Sequence, residues 1–249
     1  MPSYQLSIRP QAIVRILFGL ALLLLVGSFT GQTLRFVFDH DHVFGLVQLF
    51  NVDYERNIPT FFTVMIALGN ALLLFLVGLS SRSSAPRDSL YWQVLALGFV
   101  LIAYDEGFQV HEKLIAPMRG LLGPGDLGVF YFSWVIPGIA VVCAAALFFM
   151  KFLLRLAPAM RRQLLLAAAI YLSGCLGMEL LDGAYAEAFG QNFTYAFLVT
   201  IEEGLEMAGL ILLTRALLEY FAAEHVKLAF VPTPLPQPSG APAIQPQSS

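Results

Sequence analysis

The stretch FTYAFLVTIEEGLEMAGLILLTRALL, Phe193 to Leu218, decides how this chain is read. It is longer than the roughly 20 residues a helix needs to cross a hydrocarbon core about 30 Å thick, and apolar sequence lies on both sides of its three acids, Glu202, Glu203 and Glu206. Similar runs recur near 11–31, 60–80, 90–111, 129–150 and 163–183. The whole chain agrees: 58% of residues are hydrophobic, 12% are charged and the mean hydropathy is +0.73, well beyond the apolar share of soluble domains. The sequence therefore predicts an all-α integral membrane protein of about six transmembrane helices. Residues 1–230 form one membrane domain, and the Pro-, Gln- and Ser-rich residues 231–249 read as a disordered tail. A net charge of -3 with no basic stripe gives no reason to expect nucleic acid as a partner. Cys143 and Cys175 both fall inside spans, where neither can staple an outer loop.

Charge placement orients the spans. With the N-terminus inside, the inner segments hold Arg9, Arg15, Arg82, Arg87, Lys151, Arg155, Arg161, Arg162, Arg215 and Lys227, whereas the outer ones hold Arg35, Arg56, Lys113 and Arg119. That satisfies the positive-inside rule and puts both termini in the cytoplasm. Asp88, Glu219 and Glu224 are the only acids on the inner side, so the outer half is acidic. The first span follows Arg9 and Arg15 as a signal peptide would, yet Gly27 to Gly31 offers no clean small-x-small cleavage site, so it is read as retained. The outer loop 32–59 carries Phe36, Phe38, Phe44, Leu46, Leu49 and Phe50, which suit a short interfacial helix.

The residues that break the apolar pattern are the candidates for function. Span three ends in Asp105 and Glu106 followed by His111 and Glu112; span five carries Glu179 and Asp182; span six carries Glu202, Glu203 and Glu206. On a continuous helix Asp105, Gln109 and Glu112 share a face, and His111 lies on the far side of Phe108. Asp105 is the sixteenth residue of span three, Glu179 the seventeenth of span five and Glu202 the tenth of span six from its outer end. At 1.5 Å per residue these depths overlap in the outer half. An ionised side chain facing lipid costs at least ~2.5 to 3.5 kcal/mol at the bilayer centre, so the acids are expected to face one another around bound protons or a bound cation. Asp105, Glu106, Glu179, Asp182, Glu202, Glu203 and Glu206 are the cation- or proton-binding candidates, and His111 with Glu112 the metal ligands. His40 and His42, in Asp39-His40-Asp41-His42, are weaker candidates, because their spacing matches no metal motif. For Glu112, Asp182 and Glu187 the alternative is an ordinary interfacial position. Oxygen-rich ligands suit a hard divalent ion such as Ca²⁺, Mg²⁺ or Mn²⁺.

Asp105-Glu106-Gly107-Phe108-Gln109-Val110 aligns without gaps on Glu202-Glu203-Gly204-Leu205-Glu206-Met207. The two spans run in opposite directions and each closes a three-helix half, the pattern of a 3+3 inverted repeat. Gly107 and Gly204 read as positions of close helix approach. Di-iron bundles need two Glu-x-x-His motifs, which are absent. No His-Glu-x-x-His, Gly-x-Ser-x-Gly or P-loop motif occurs either. Asn192-Phe193-Thr194 fits the glycosylation pattern but abuts the membrane.

Asp105-Glu106, His111-Glu112 and Glu202-Glu203-Gly204-Leu205-Glu206-Met207 resemble a pattern in multi-span bacterial membrane proteins without an assigned activity. That resemblance covers about twenty residues in two spans, and it implies one cooperating site in the inner (plasma) membrane of a bacterium. Partly, the chain also looks like cation exchangers with acidic-glycine motifs duplicated on antiparallel helices, although it lacks their Glu-x-Gly-Asp-Lys order. The expected function is cation transport or proton-coupled exchange. A membrane-embedded metalloenzyme acting on a lipid-like substrate is the alternative, so enzymatic activity stays open. A non-catalytic subunit or assembly factor of a membrane complex is the third. Expected partners are the lipid bilayer and other membrane subunits.

Overall fold

The computed structural model describes residues 9–223. The predicted tail at 231–249, with Glu224, His225 and Lys227, lies outside the described residues. Within them the chain is helical with no strand: α1 Pro10–Phe38, α2 Leu46–Phe50, α3 Ile58–Ser80, α4 Pro86–Phe108, α5 Ile115–Leu122, α6 Val135–Arg155, α7 Pro158–Leu172, α8 Glu179–Phe189 and α9 Phe193–Ala223. Proline in the first turn starts α1, α3, α4 and α7, where a missing N–H costs nothing. Asn57 caps α3 by accepting from the Thr60 amide at 3.2 Å. Asn192 caps α9, accepting from the amides of Thr194 at 2.9 Å and Tyr195 at 3.2 Å, so the glycosylation-like triplet serves as a helix start.

Four segments are long and apolar enough to cross a membrane: α1, α3, α6 and the continuous Pro158–Phe189. The pair α4 and Glu112–Leu122, bent by 74°, counts as a fifth when it is taken as one broken span. Helix α9 has 31 residues but is not among them, because Glu202, Glu203, Glu206, Arg215 and Glu219 interrupt its apolar run. It is instead the central helix. Its buried residues run from Tyr195 to Leu218, and α1, α3, α7 and α8 all pack against it. Large apolar side chains such as Leu22, Leu23, Phe61, Val141, Leu147 and Leu154 point outward as a belt, the face a bilayer would cover.

Two contacts fix α9 in place. Asn70 of α3, fully buried, donates to the Leu210 carbonyl at 2.9 Å and accepts from the Thr214 hydroxyl at 2.8 Å. Across the bundle, α7 and the π-helical turn Ser173–Met178 lie on α9 with their backbones nearly touching. A Cβ at Gly209 would sit 2.6 Å from the Tyr171 nitrogen, and one at Gly174 would sit 2.8 Å from the Glu202 carbonyl. The glycines expected to allow close approach do less. Gly107 meets only a Val64 methyl at 3.8 Å, and Gly204 a Leu25 methyl at 3.3 Å, because their open faces point at side-chain tips.

The ends of the bundle separate by charge. At one end Arg155 donates to Asp88 at 2.6 Å, and Glu219 accepts from Arg215 at 2.8 Å and Gln163 at 2.6 Å. Between that end and the acids, Leu74, Val77, Trp92, Phe152, Leu164 and Leu217 form a closed apolar cluster. At the other end the segment after α1 folds back. Its short helix α2 lays Val47 on Gly31 and Phe50 on Gly27, while Phe44 stays fully exposed. Phe36 and Phe38, expected in this loop, belong to the longer α1.

Candidate functional site

The expectation that His111 lies away from Asp105 is corrected by the end of α4. Gln109 adopts left-handed geometry (φ 53, ψ 47) and its amide closes the helix on the Asp105 carbonyl at 2.8 Å. The chain then turns back instead of continuing the 100° progression. His111 consequently meets Asp105 twice, through its backbone amide at 2.8 Å and its Nδ1 at 2.8 Å. An Nδ1–H held by a carboxylate leaves Nε2 as the ligand atom, the arrangement that orients metal-binding histidines. The His111 ring rests against Trp134, centroids 4.6 Å apart.

Beside it stands an acid that the sequence did not single out. Glu55, His111 and Glu112 each present a donor atom within 4.8 Å of the other two. The loop carrying Glu55 is tied down by polar residues of α1 and by Asn57. Gln32 donates to Asn51, the Val52 amide donates to Ser28 at 3.1 Å, and Asn57 donates to the carbonyls of Asn51 at 2.6 Å and Tyr54 at 2.8 Å. Glu55 Oε2 is buried without a hydrogen-bond partner. Burial, reinforced by the neighbouring Glu106 carboxylate and opposed by His111, pushes the Glu55 carboxyl up to about 8. Burial also raises Asp53, against a hydrogen bond from Tyr195 and the charge of Arg35.

The remaining candidates lie beneath. Glu203 is within electrostatic range of Glu106, Glu206, Glu55 and Asp53, and Glu206 of Glu106, Glu179 and Asp105. Glu202 is within hydrogen-bonding reach of both Asp182 and Glu179. Trp134 Nε1 donates to Glu179 Oε1 at 2.7 Å, so one indole touches both His111 and Glu179. The π-helical turn just before Glu179 inserts an extra residue, which rotates α8 by about 100° relative to an unbroken α-helix. Asp182 is 1% exposed, Glu202 and Glu206 each 8%. Among the described residues none of Glu106, Glu179, Asp182, Glu202, Glu203 and Glu206 forms an ion pair with lysine or arginine.

The structure thus brings together Asp105, Glu106, Glu179, Asp182, Glu202, Glu203 and Glu206 with His111 and Glu112. Asp182 is buried inside the bundle. Glu187 sits apart, accepting from the amides of Leu127 and Gly128 and anchoring the loop between α5 and α6 to α8. His40 and His42 are exposed and outside the group; His42 Nδ1 lies 3.3 Å from Gln48 Nε2 instead. Glu55, Asp53, Trp134 and Tyr195 were missed. Each stands in or beside an irregular segment, and only Gln32 and Ser28 in span one hinted that a loop would fold onto it.

A family model described as a domain of unknown function (DUF8692) matches residues 14–221, a range that includes every residue of this cluster. No curated protein and no solved structure matches the chain.

Proposed function

We propose that this chain, which belongs to the DUF8692 family, binds a divalent cation at the outer mouth of a proton-carrying carboxylate cluster and serves cation transport or proton-coupled exchange. The observation carrying this reading is the group Glu55, His111 and Glu112, with donors within 4.8 Å of one another and His111 held on Asp105. Two carboxylates and one imidazole suit Mn²⁺ or a similar ion of intermediate hardness. The acids below it, Glu106, Glu179, Asp182, Glu202, Glu203 and Glu206, act as proton carriers, since neighbouring buried carboxyls without a cation are held together by protons. In the proposed topology α9 crosses the inner membrane with the others, giving six crossings and both termini inside. The apolar cluster around Trp92 and Phe152 then closes the cytoplasmic side, and the cation arrives from outside. In the proposed 3+3 repeat Glu106 and Glu203 are the counterpart acids, and they lie within electrostatic range of each other. The packing is less symmetric, since α1 lies along α9 whereas α6 barely touches α4.

The test is uptake of Mn²⁺ into liposomes holding the purified protein, with the pH inside followed. Uptake accompanied by proton exit, lost in Glu203→Gln and in His111→Ala, is the expected result. Failure of wild-type protein to bind or move Mn²⁺, Mg²⁺ or Ca²⁺ would sink the reading. The second reading, a metalloenzyme acting on a lipid-like substrate, is favoured by one feature. Three protein ligands leave coordination positions open, as catalytic metals require. It demands a stoichiometric transition metal after purification without chelator. The cavity beside the cluster, lined by Gln32, Arg35, Asp53, Tyr54 and Tyr195, holds about 70 Å³, room for water and too little for an acyl chain.

A further inference from the structure

We propose that Asp182 and Glu202 share a single proton, and that this pair is the seat of the proton exchanged against the cation. Asp182 is 1% exposed, and neither of its carboxyl oxygens has a hydrogen-bond partner. The group within its reach is another carboxyl, Glu202, itself 8% exposed. Two carboxylates only accept, so their contact becomes a hydrogen bond only when one of them carries a proton. Both ionised, they would be like charges at contact in a low-dielectric interior, and Asp182 would be a buried anion with no donor at all.

A metal ion is a poorer occupant. The third acid in reach, Glu179, already accepts from Trp134 at 2.7 Å. Moreover, the three-residue donor group that converges within 4.8 Å among the described residues is Glu55, His111 and Glu112, not this one. A proton needs only two oxygens. The groups facing the pair are Glu179 from α8, which holds the Trp134 indole, Glu206 and Tyr195 from α9, and Asp53 from the outer loop; none is cationic. Release of the proton, from the carboxylic acid to water, leaves one more negative charge beneath the outer ion site and so favours the cation. Return of the proton reverses this. The assignment rests on the cation reading for its role but not for its existence.

Infrared spectra of the full chain in lipid bilayers, free of divalent ions at neutral pH, test it. Asp182→Asn and Glu202→Gln should each remove the same band of a protonated carboxyl, because the new amide donates to the remaining carboxylate. The double variant should lose no more than either single one. Protons released on Mn²⁺ binding should fall by one per ion in each variant. Thermal melting shows which variants are folded, and either single variant suffices if the other fails. An unchanged carboxyl band in a folded variant overturns the proposal. So does a double variant that loses two bands, and so does the loss of a bound Mn²⁺ equivalent in Asp182→Asn. Loss of Mn²⁺ binding in the wild type with the band intact overturns the cation reading alone.

Discussion

A carboxylate that orients an imidazole does more for a metal site than another ligand would, and Asp105 occupies that position. Asp105→Asn keeps a hydrogen-bonding side chain but loses the charge that favours the Nδ1–H tautomer. Mn²⁺ affinity should drop by about 10- to 100-fold, as for other outer-shell partners of metal-bound histidines, and His111→Ala should cost more; isothermal calorimetry reads both. Glu55 sets the pH dependence. With its carboxyl at about 8, the ion must displace a proton at neutral pH. Glu55 should therefore add up to about tenfold in affinity per pH unit as pH increases toward about 8, and Glu55→Gln should remove that share of the slope along with most of the binding. The same shift acts on stability. The folded state holds this proton more tightly than the unfolded chain, so the contribution is full below the ordinary glutamate value, 4.5, and is lost as pH rises through about 8. The melting temperature of the metal-free protein should fall over that window, and less so in Glu55→Gln. A flat wild-type profile would place Glu55 in water.

Helix contacts explain why these side chains meet. Helix α9 approaches α7 at Gly209 and the π-helical turn at Gly174, where an added Cβ would lie 2.6 and 2.8 Å from neighbouring atoms that include backbone. Gly209→Ala and Gly174→Ala should each destabilise by about 1 to 3 kcal/mol or more, the cost of overpacking a filled interface. Gly107→Ala, facing a methyl at 3.8 Å, should be neutral. Thermal unfolding in detergent separates the two groups, and equal losses at all three would mean the crossing lies elsewhere. Acidic-glycine pairs are visible in the sequence, but which glycine meets backbone depends on how the helices rotate. The π-helical turn had no signal at all, since Ser173–Met178 reads as an ordinary apolar stretch with two glycines.

Across the whole molecule, acids gather near one end of the bundle and most of the basic residues at the other, with an apolar cluster between. Cysteine placed at Lys113 should react with an impermeant thiol reagent from outside intact cells, and cysteine at Arg82 only after permeabilisation. The reverse pattern would invert the proposed orientation. The sequence by itself determined the helical class, the approximate places of the long helices, with several ends five residues or more away, and the seven buried or half-buried acids that interrupt them. It could do so because apolar length and interrupting charge are properties of single segments. Tertiary structure alone decided that His111 returns to Asp105, that Glu55 joins it from the loop between α2 and α3, and that Asp182 meets Glu202. Those facts stem from a left-handed residue at the end of α4, a loop fastened by Gln32, Ser28 and Asn57, and a π-helical turn ahead of Glu179. Each redirects a few side chains through contacts between segments distant in the chain, which no periodicity within one segment encodes.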